Sequence, residues 1–417
     1  MLRLENVRVW GGDGTPTTLT LVGVSPPAGA AHDAAGTAHD AAGTAHDAAG
    51  AWLVPAFVDL ACDPGYPGFP TREDPTSLGA AALAGGFADL VTNPAQEPVF
   101  DTPEHVTELR RSTPGGVRLW PLAALTRRLE GKELSEHGLL AAAGVCGLSD
   151  GGRVTEDTVI LRNALEYARA FDLRVWLRPA DPWLDALGVV HESGLAARIG
   201  LRGNPAAAED IGVARVIALV RTTGASVHLS PLSSAAAVAL VRAAQREGLP
   251  VTAAVAARSL LLDEGAHASG RYDTRLRLHP PLRAHEDRLA LVAGVHDGTL
   301  LVCADHAPRA PEEKELEFER AVPGSTGLET AFAATLTALD GDLAATVRAL
   351  STGPRALLRG VRPSPPAGYA LVELDASGVV QPEAHRSRAR NDALAGVRLR
   401  GAVRACFPDA QRRDDAA

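Results

Sequence analysis

The chain has 417 residues and a formal charge of −9, with 50 acidic against 41 Lys and Arg residues. Its 46% hydrophobic and 22% charged content excludes disorder throughout and allows a large buried core. The acidic balance, with no extended Lys/Arg run, argues against a dedicated nucleic-acid or anionic-membrane surface and leaves small molecules or proteins as partners.

In chain order, the opening "MLRLENVRVWGGDG" alternates like a strand and lacks the apolar block of a signal peptide. No run of about 18 apolar residues occurs, so neither export nor membrane insertion is expected. Cys62, Cys146, Cys303 and Cys406 lack CxxC spacing, so no disulfide framework or zinc ribbon is expected and a reducing cytoplasm fits. Residues 30–50 repeat the unit "AHDAAGT", placing His32, His39 and His46 at equal intervals. Evenly spaced histidines invite a metal reading, but Gly, Ala and Asp alone cannot order ligands, so an exposed duplicated loop is expected.

Apolar runs then alternate with helical stretches. The predicted strands are "WLVPAFVDL", "GFADLVTNP", "VRLWPLAAL", "AGVCGLSDGG", "LRVWLRPAD", "ASVHLSPLSS", "PVTAAVAAR" and "GTLLVCADHAP". Segments such as "DTVILRNALEYARAF" and "SSAAAVALVRAAQREG" carry apolar residues at three- and four-residue spacing, begin with N-cap residues and end near Gly. Eight strand-then-helix units predict an α/β fold, a closed (β/α)8 TIM barrel over residues 54–364, with its reactive groups at the C-terminal strand ends. Residues 1–53 and 365–417 hold short alternating segments, including "TLTLVGV" and "YALVEL", and predict a small β-sandwich-like domain built from both ends of the chain.

The strand ends carry the candidate chemistry. They present Ala61 and Asp63, Asn93 and Ala95, Ser149 and Asp150, Arg178 and Asp181, Pro231, Arg258 and Ser259, and finally Asp305 and His306. Asp63, Asp150, Asp305 and His306 are the candidate ligands, and such a carboxylate-rich set suits a hard ion better than zinc. Arg178 and Arg258 place fixed positive charge beside any such ion. Asp63 and Asp150 also fit a structural role, as helix caps or partners of a neighbouring Arg. His228, inside a strand, reads as a hydrogen-bonded core histidine; His105 and His137, in helical stretches, read as surface residues. Arg271, Arg275, Arg277 and Arg283 form a basic loop that either faces solvent or collects an anion.

The order of motifs carries more than any single one. "VPAFVDLACDPGYPG", "TNPAQEPVFDTPEHV", "WPLAALTRRLEGKELSEHGLL", "YDTRLRLHPPLR", "ADHAPRAPEEKELEFERAVPGSTGLET" and "RSRARNDALAGVRLRGAV" resemble, in sequence order, the motifs of class I dihydroorotases of the amidohydrolase superfamily. The resemblance implies the barrel and the two-ended β domain, and also a zinc site, but the family's ligands do not carry over. Its two strand-one metal histidines correspond to Ala61 and Asp63, and the two later ones to Arg178 and Pro231. The bridging acid falls on Asp150 or Gly151. The Arg that holds the substrate carboxylate corresponds to Gly65, the Asn residues of two further motifs to Ala95 and His279, and a late His to Arg309. The family's proton-shuttling acid, Asp305, is kept.

The resemblance therefore implies a dihydroorotase homologue of pyrimidine synthesis without its chemistry: a pseudoenzyme with no expected cofactor and an idle Asp305. Its expected part is structural or regulatory, as a partner of aspartate transcarbamoylase, alone or as a homo-oligomer. The alternative is a working dihydroorotase, or another cyclic amidase, with an altered metal site at Asp63, Asp150, Asp305 and His306; zinc belongs to that reading only. A third reading makes the mouth an anion site, with Arg178, Arg258, Arg309 and His279 as contacts.

Overall fold

The computed structural model describes residues 1–24, 45–358 and 368–413. His32 and His39 of the repeat lie outside these residues. His46 falls in a short strand beside the N-terminal one.

Two sheets organise the chain. Strands β1 (Leu2–Val9), β2 (Thr17–Val22), β3 (Ala45–Asp47) and β4 (Trp52–Pro55) belong to the terminal sheet. The barrel strands are β5 (Phe57–Cys62), β6 (Phe87–Thr92), β7 (Arg118–Ala124), β8 (Gly147–Ser149) and β9 (Val175–Leu177). After a two-residue pair, β10 (Val190–His191) with β11 (Gly203–Asn204), the barrel continues with β12 (Val227–Leu232), β13 (Val251–Ala256) and β14 (Leu301–Cys303). The chain then returns through β15 (Tyr369–Val379), β16 (Arg398–Phe407) and β17 (Gln411–Arg413), which complete the terminal sheet in the order β16-β15-β4-β1-β2-β17, with β3 on β1.

The eight barrel strands stand in sequence order and all their ladders are parallel, which bears out the expected (β/α)8 architecture. One predicted strand divides. "WLVPAFVDL" reads as continuous, but Trp52–Pro55 pairs with β15 whereas Phe57–Cys62 starts the barrel, and Ala56 N–H donates to Gly368 O at the break (3.2 Å).

The barrel closes at its C-terminal end. Asp63 N–H donates to His306 O (2.8 Å) and His306 N–H to Ala61 O (3.1 Å), joining the first strand to the last. Lower down the seam, Ala304 N–H donates to the Asp59 carboxylate (2.8 Å). The interior is filled by Val58, Leu60, Val91, Trp120, Leu122 and Trp176, so it is a packed core, and a cavity opens at the mouth. Outside the barrel, Phe57 stacks on Phe332 of the helix Ala331–Ala338 (5.4 Å between centroids) and meets Phe87 edge-on (5.7 Å). Among the described residues, no helix is long and apolar enough to cross a membrane.

Candidate functional site

The strand ends and the loops beyond them enclose a cavity of about 230 Å3. Its wall includes Ala61, Asp63, Asp150, Arg178, Pro231, Arg258, His279, Asp305, His306 and Arg309, so the structure brings together most of the strand-end residues singled out in the sequence. Ala95, Asp181 and Ser259 are not in that wall. Asp181 caps the helix Pro182–Asp185 by accepting from Trp183 and Leu184 N–H (3.1 and 2.9 Å).

Most charges of this wall are paired, either with one another or, for Arg178, with Asp185 beside it. Arg309 Nη1 donates to Asp63 Oδ2 at 2.9 Å, and Arg258 Nη2 donates to Asp305 Oδ2. Arg178 Nη2 meets Asp185 Oδ2 at 2.9 Å, and His279 Nε2 approaches the same oxygen at 3.1 Å. Burial alone would push the Asp63 carboxyl up, but Arg309, a hydrogen bond from Gln96 Nε2 (3.0 Å) and the Gly65 N–H more than offset it, leaving it below the usual range. Asp185 is driven the same way, its burial outweighed by His279 and Arg178. His279 is held below its ordinary value, first by burial and then by the Arg178 charge. The guanidiniums of Arg178, Arg258 and Arg309, named above as anion contacts, thus each already hold a carboxylate.

Asp150 stands apart because it has no ion-pair partner among the described residues. Its Oδ1 accepts from Gly152 N–H (3.0 Å), and burial lifts its carboxyl to about 7, with the Arg178 charge offsetting only part of that penalty. A folded-state value above that of a free carboxyl means that the folded chain binds this proton more tightly than the unfolded one. Stability contributed here is therefore full at low pH and declines as pH rises from about 4 to about 7. Asp150→Asn, which cannot ionise, is expected to raise the melting temperature, by more at pH 8 than at pH 5. Equal shifts at both pH values in calorimetry would refute this assignment.

Three residues that sequence reasoning missed hold the site. Asp185 receives Arg178 and His279, and Gln96 donates to Asp63. Glu73 is fully buried: it receives His306 Nε2 (3.3 Å), Ser387 Oγ and Arg388 N–H (3.0 Å), pinning a C-terminal segment to the mouth. Its carboxyl lies below the usual range because the His306 hydrogen bond and charge outweigh burial. The only advance signal was the N-cap pattern "EDPTS" beside Glu73. Two other expectations are corrected. His137 is buried, stacked on Tyr167 (4.5 Å) with Nε2 on Leu125 O (3.0 Å), because its helix turns that face inward. Arg283 of the basic loop is also buried, donating to Ser233 Oγ, Asn204 O and Asn204 Oδ1.

The donor set does not fit the zinc that the resemblance implies. Ala61 and Pro231 have no side-chain donor atom, Arg178 is a permanent cation, and Asp63 and Asp305 are each engaged by a guanidinium. Among the described residues, no group of three or more His, Cys, Asp or Glu side chains is placed to share an ion. The substrate-arginine position fails as well. Gly65 has φ +69°, and a Cβ there would lie 2.8 Å from Glu73 Cβ, so the backbone as it runs takes no side chain.

Comparison with known proteins agrees with the order of motifs. A family model described as dihydro-orotase-like matches residues 50–237. The chain is 40% identical over 366 residues to a dihydroorotase of Anaeromyxobacter sp. (strain K), covering 84% of this chain and 83% of that one. This chain belongs to the dihydroorotase family. A dihydroorotase of Syntrophus aciditrophicus is 36% identical over 362 residues, covering 84% of each chain. In fold, this family member is similar to the L-hydantoinase (dihydropyrimidinase) of Arthrobacter aurescens, with TM-score 0.79 at 19% identity over 96% of this chain and 93% of that one. It is similar too to the dihydropyrimidinase of Brevibacillus agri, with TM-score 0.78 at 18% identity over 98% and 94%. These likenesses confirm the amidohydrolase-type barrel.

Proposed function

We propose that this member of the dihydroorotase family is catalytically silent and acts in pyrimidine synthesis as a cytoplasmic structural partner of aspartate transcarbamoylase. The carrying observation is the mouth itself: family metal positions stand as Ala61, Asp63, Arg178 and Pro231, and the acids that remain at Asp63 and Asp305 are bound by arginines. Ring opening of a cyclic amide at neutral pH needs an activated water and a polarised carbonyl. Asp305 is committed to Arg258, and among the described residues no cluster of donors is placed beside it to hold an ion that could supply either. A barrel, terminal sheet and loops retained around an emptied donor set are what selection for folding and contact leaves behind.

A second reading, a working dihydroorotase or related cyclic amidase, draws support from the 40% identity to the Anaeromyxobacter dihydroorotase and from the retained Asp305. The partnership is tested by size-exclusion chromatography of the purified chain with and without aspartate transcarbamoylase from the same source. Co-elution at higher mass than either protein alone is the expected result. Independent elution at concentrations of about 10 μM, well above the range of specific complexes, would refute the partnership.

A further inference from the structure

Asp63 follows the first barrel strand and Asp305 follows the last, so the two acids flank the seam at which the barrel closes. Their side chains are 15% and 19% exposed, and carboxylates so enclosed need a counter-charge. Each is met by a guanidinium that is itself anchored. Arg309 also gives Nε–H to Pro323 O (2.8 Å) and Nη1–H to Pro308 O (2.8 Å), while its backbone N–H donates to Asn391 Oδ1 (3.1 Å). Arg258, whose side chain is 6% exposed, adds a bond to Asp305 O (3.2 Å) and a longer one to Ala304 O (3.4 Å). Asp305 has φ +46°, a left-handed conformation that Asp tolerates, and Arg258 grips both its carboxylate and its carbonyl there.

A bound cation would have to displace guanidiniums that are permanently charged and held by several acceptors at once. We propose that Arg309 and Arg258 are resident counter-cations of the barrel mouth, supplying from within the chain the charge that a divalent ion would otherwise bring to Asp63 and Asp305, so that the seam is held without metal. This inference rests on the metal-free reading of the mouth, yet it concerns assembly of the seam and not turnover.

The test is calorimetry on the full-length protein. The natural chain is expected to melt at the same temperature, within about 1 °C, in EDTA and in millimolar Zn2+, Mn2+ or Mg2+, since a ligand absent from the folded state shifts nothing. Arg309→Met should lower the melting temperature by about 3–5 °C by stranding the Asp63 charge. Adding Asp63→Asn to that variant should recover at least half of the loss. If Arg309→Met alone is insoluble, a soluble Asp63→Asn/Arg309→Met protein counts as the same recovery. A double variant no better than the single one overturns the proposal, as does a natural chain destabilised by EDTA or stabilised by the divalent ions. Turnover of dihydroorotate by a chain that melts identically with and without metal would end the silent reading and leave this inference standing.

Discussion

Glu73→Ala is expected to destabilise the protein by about 3–5 kcal/mol, the cost of removing a buried carboxylate and orphaning its donors. The carboxylate is 0% exposed and serves three donors on two distant parts of the chain: His306 beyond the last barrel strand, and Ser387 and Arg388 in the returning segment. Alanine would leave the His306 ring N–H, the Ser387 hydroxyl and the Arg388 N–H without their acceptor. Limited proteolysis should then cut residues 386–394 faster than in the natural chain, because this clamp docks them on the mouth. Glu73→Gln keeps the shape and loses the charge, so a smaller loss is expected. The folded-state value of this carboxyl is depressed, so its contribution is full above the ordinary glutamate range and is lost as pH falls through the folded value. Unchanged denaturant midpoints for Glu73→Ala would show that His306 and the returning segment are held by other contacts.

Asp89→Ala carries a comparable expected cost, about 3–5 kcal/mol, for a different reason. Asp89 is 0% exposed on β6 and binds Arg118 Nε (2.7 Å), Arg118 Nη2 (2.9 Å), Arg355 Nη1 (2.9 Å) and the Trp120 indole N–H (2.8 Å). Burial alone would raise its carboxyl, but the Arg118 hydrogen bonds and charge hold it below the usual range. One buried carboxylate therefore meets two guanidiniums, and removing it takes from Arg118 its shorter ion pair, leaving the longer one to Asp409 at 3.4 Å. Asp89→Asn should lie between the natural chain and Asp89→Ala, since the amide oxygen still accepts while the charge is gone. Urea unfolding decides the point: midpoints that coincide for Asp89→Asn and Asp89→Ala would mean the charge contributes nothing beyond the hydrogen bonds.

The architecture was legible because a (β/α)8 barrel writes itself locally. Each strand is a short apolar run that ends at polar or turn residues, and each helix carries its own period and caps. The division at Pro55 and Ala56 was not legible, because both halves of "WLVPAFVDL" are apolar and only the partner strands distinguish them. At the site, the residues lining the mouth could be named from strand ends and motif order, and most of them line one cavity. Their pairing could not be. Arg309 and Asp63 are 246 positions apart, and Arg178 finds Asp185 only because the short helix after β9 folds back over the mouth. His137 and Arg283 were misplaced for a related reason. Helical periodicity and charge predict exposure on average, whereas an aromatic stack or a buried serine and asparagine pair can overrule them at a single position.

The silent reading is tested most directly by the interconversion of dihydroorotate and carbamoyl aspartate, followed in both directions with the purified chain. It would be assayed as isolated, after chelation, and after incubation with Zn2+ or Mn2+. Rates equal to those of protein-free solution under all three conditions are predicted. Turnover that a chelator abolishes and added cation restores would contradict the account.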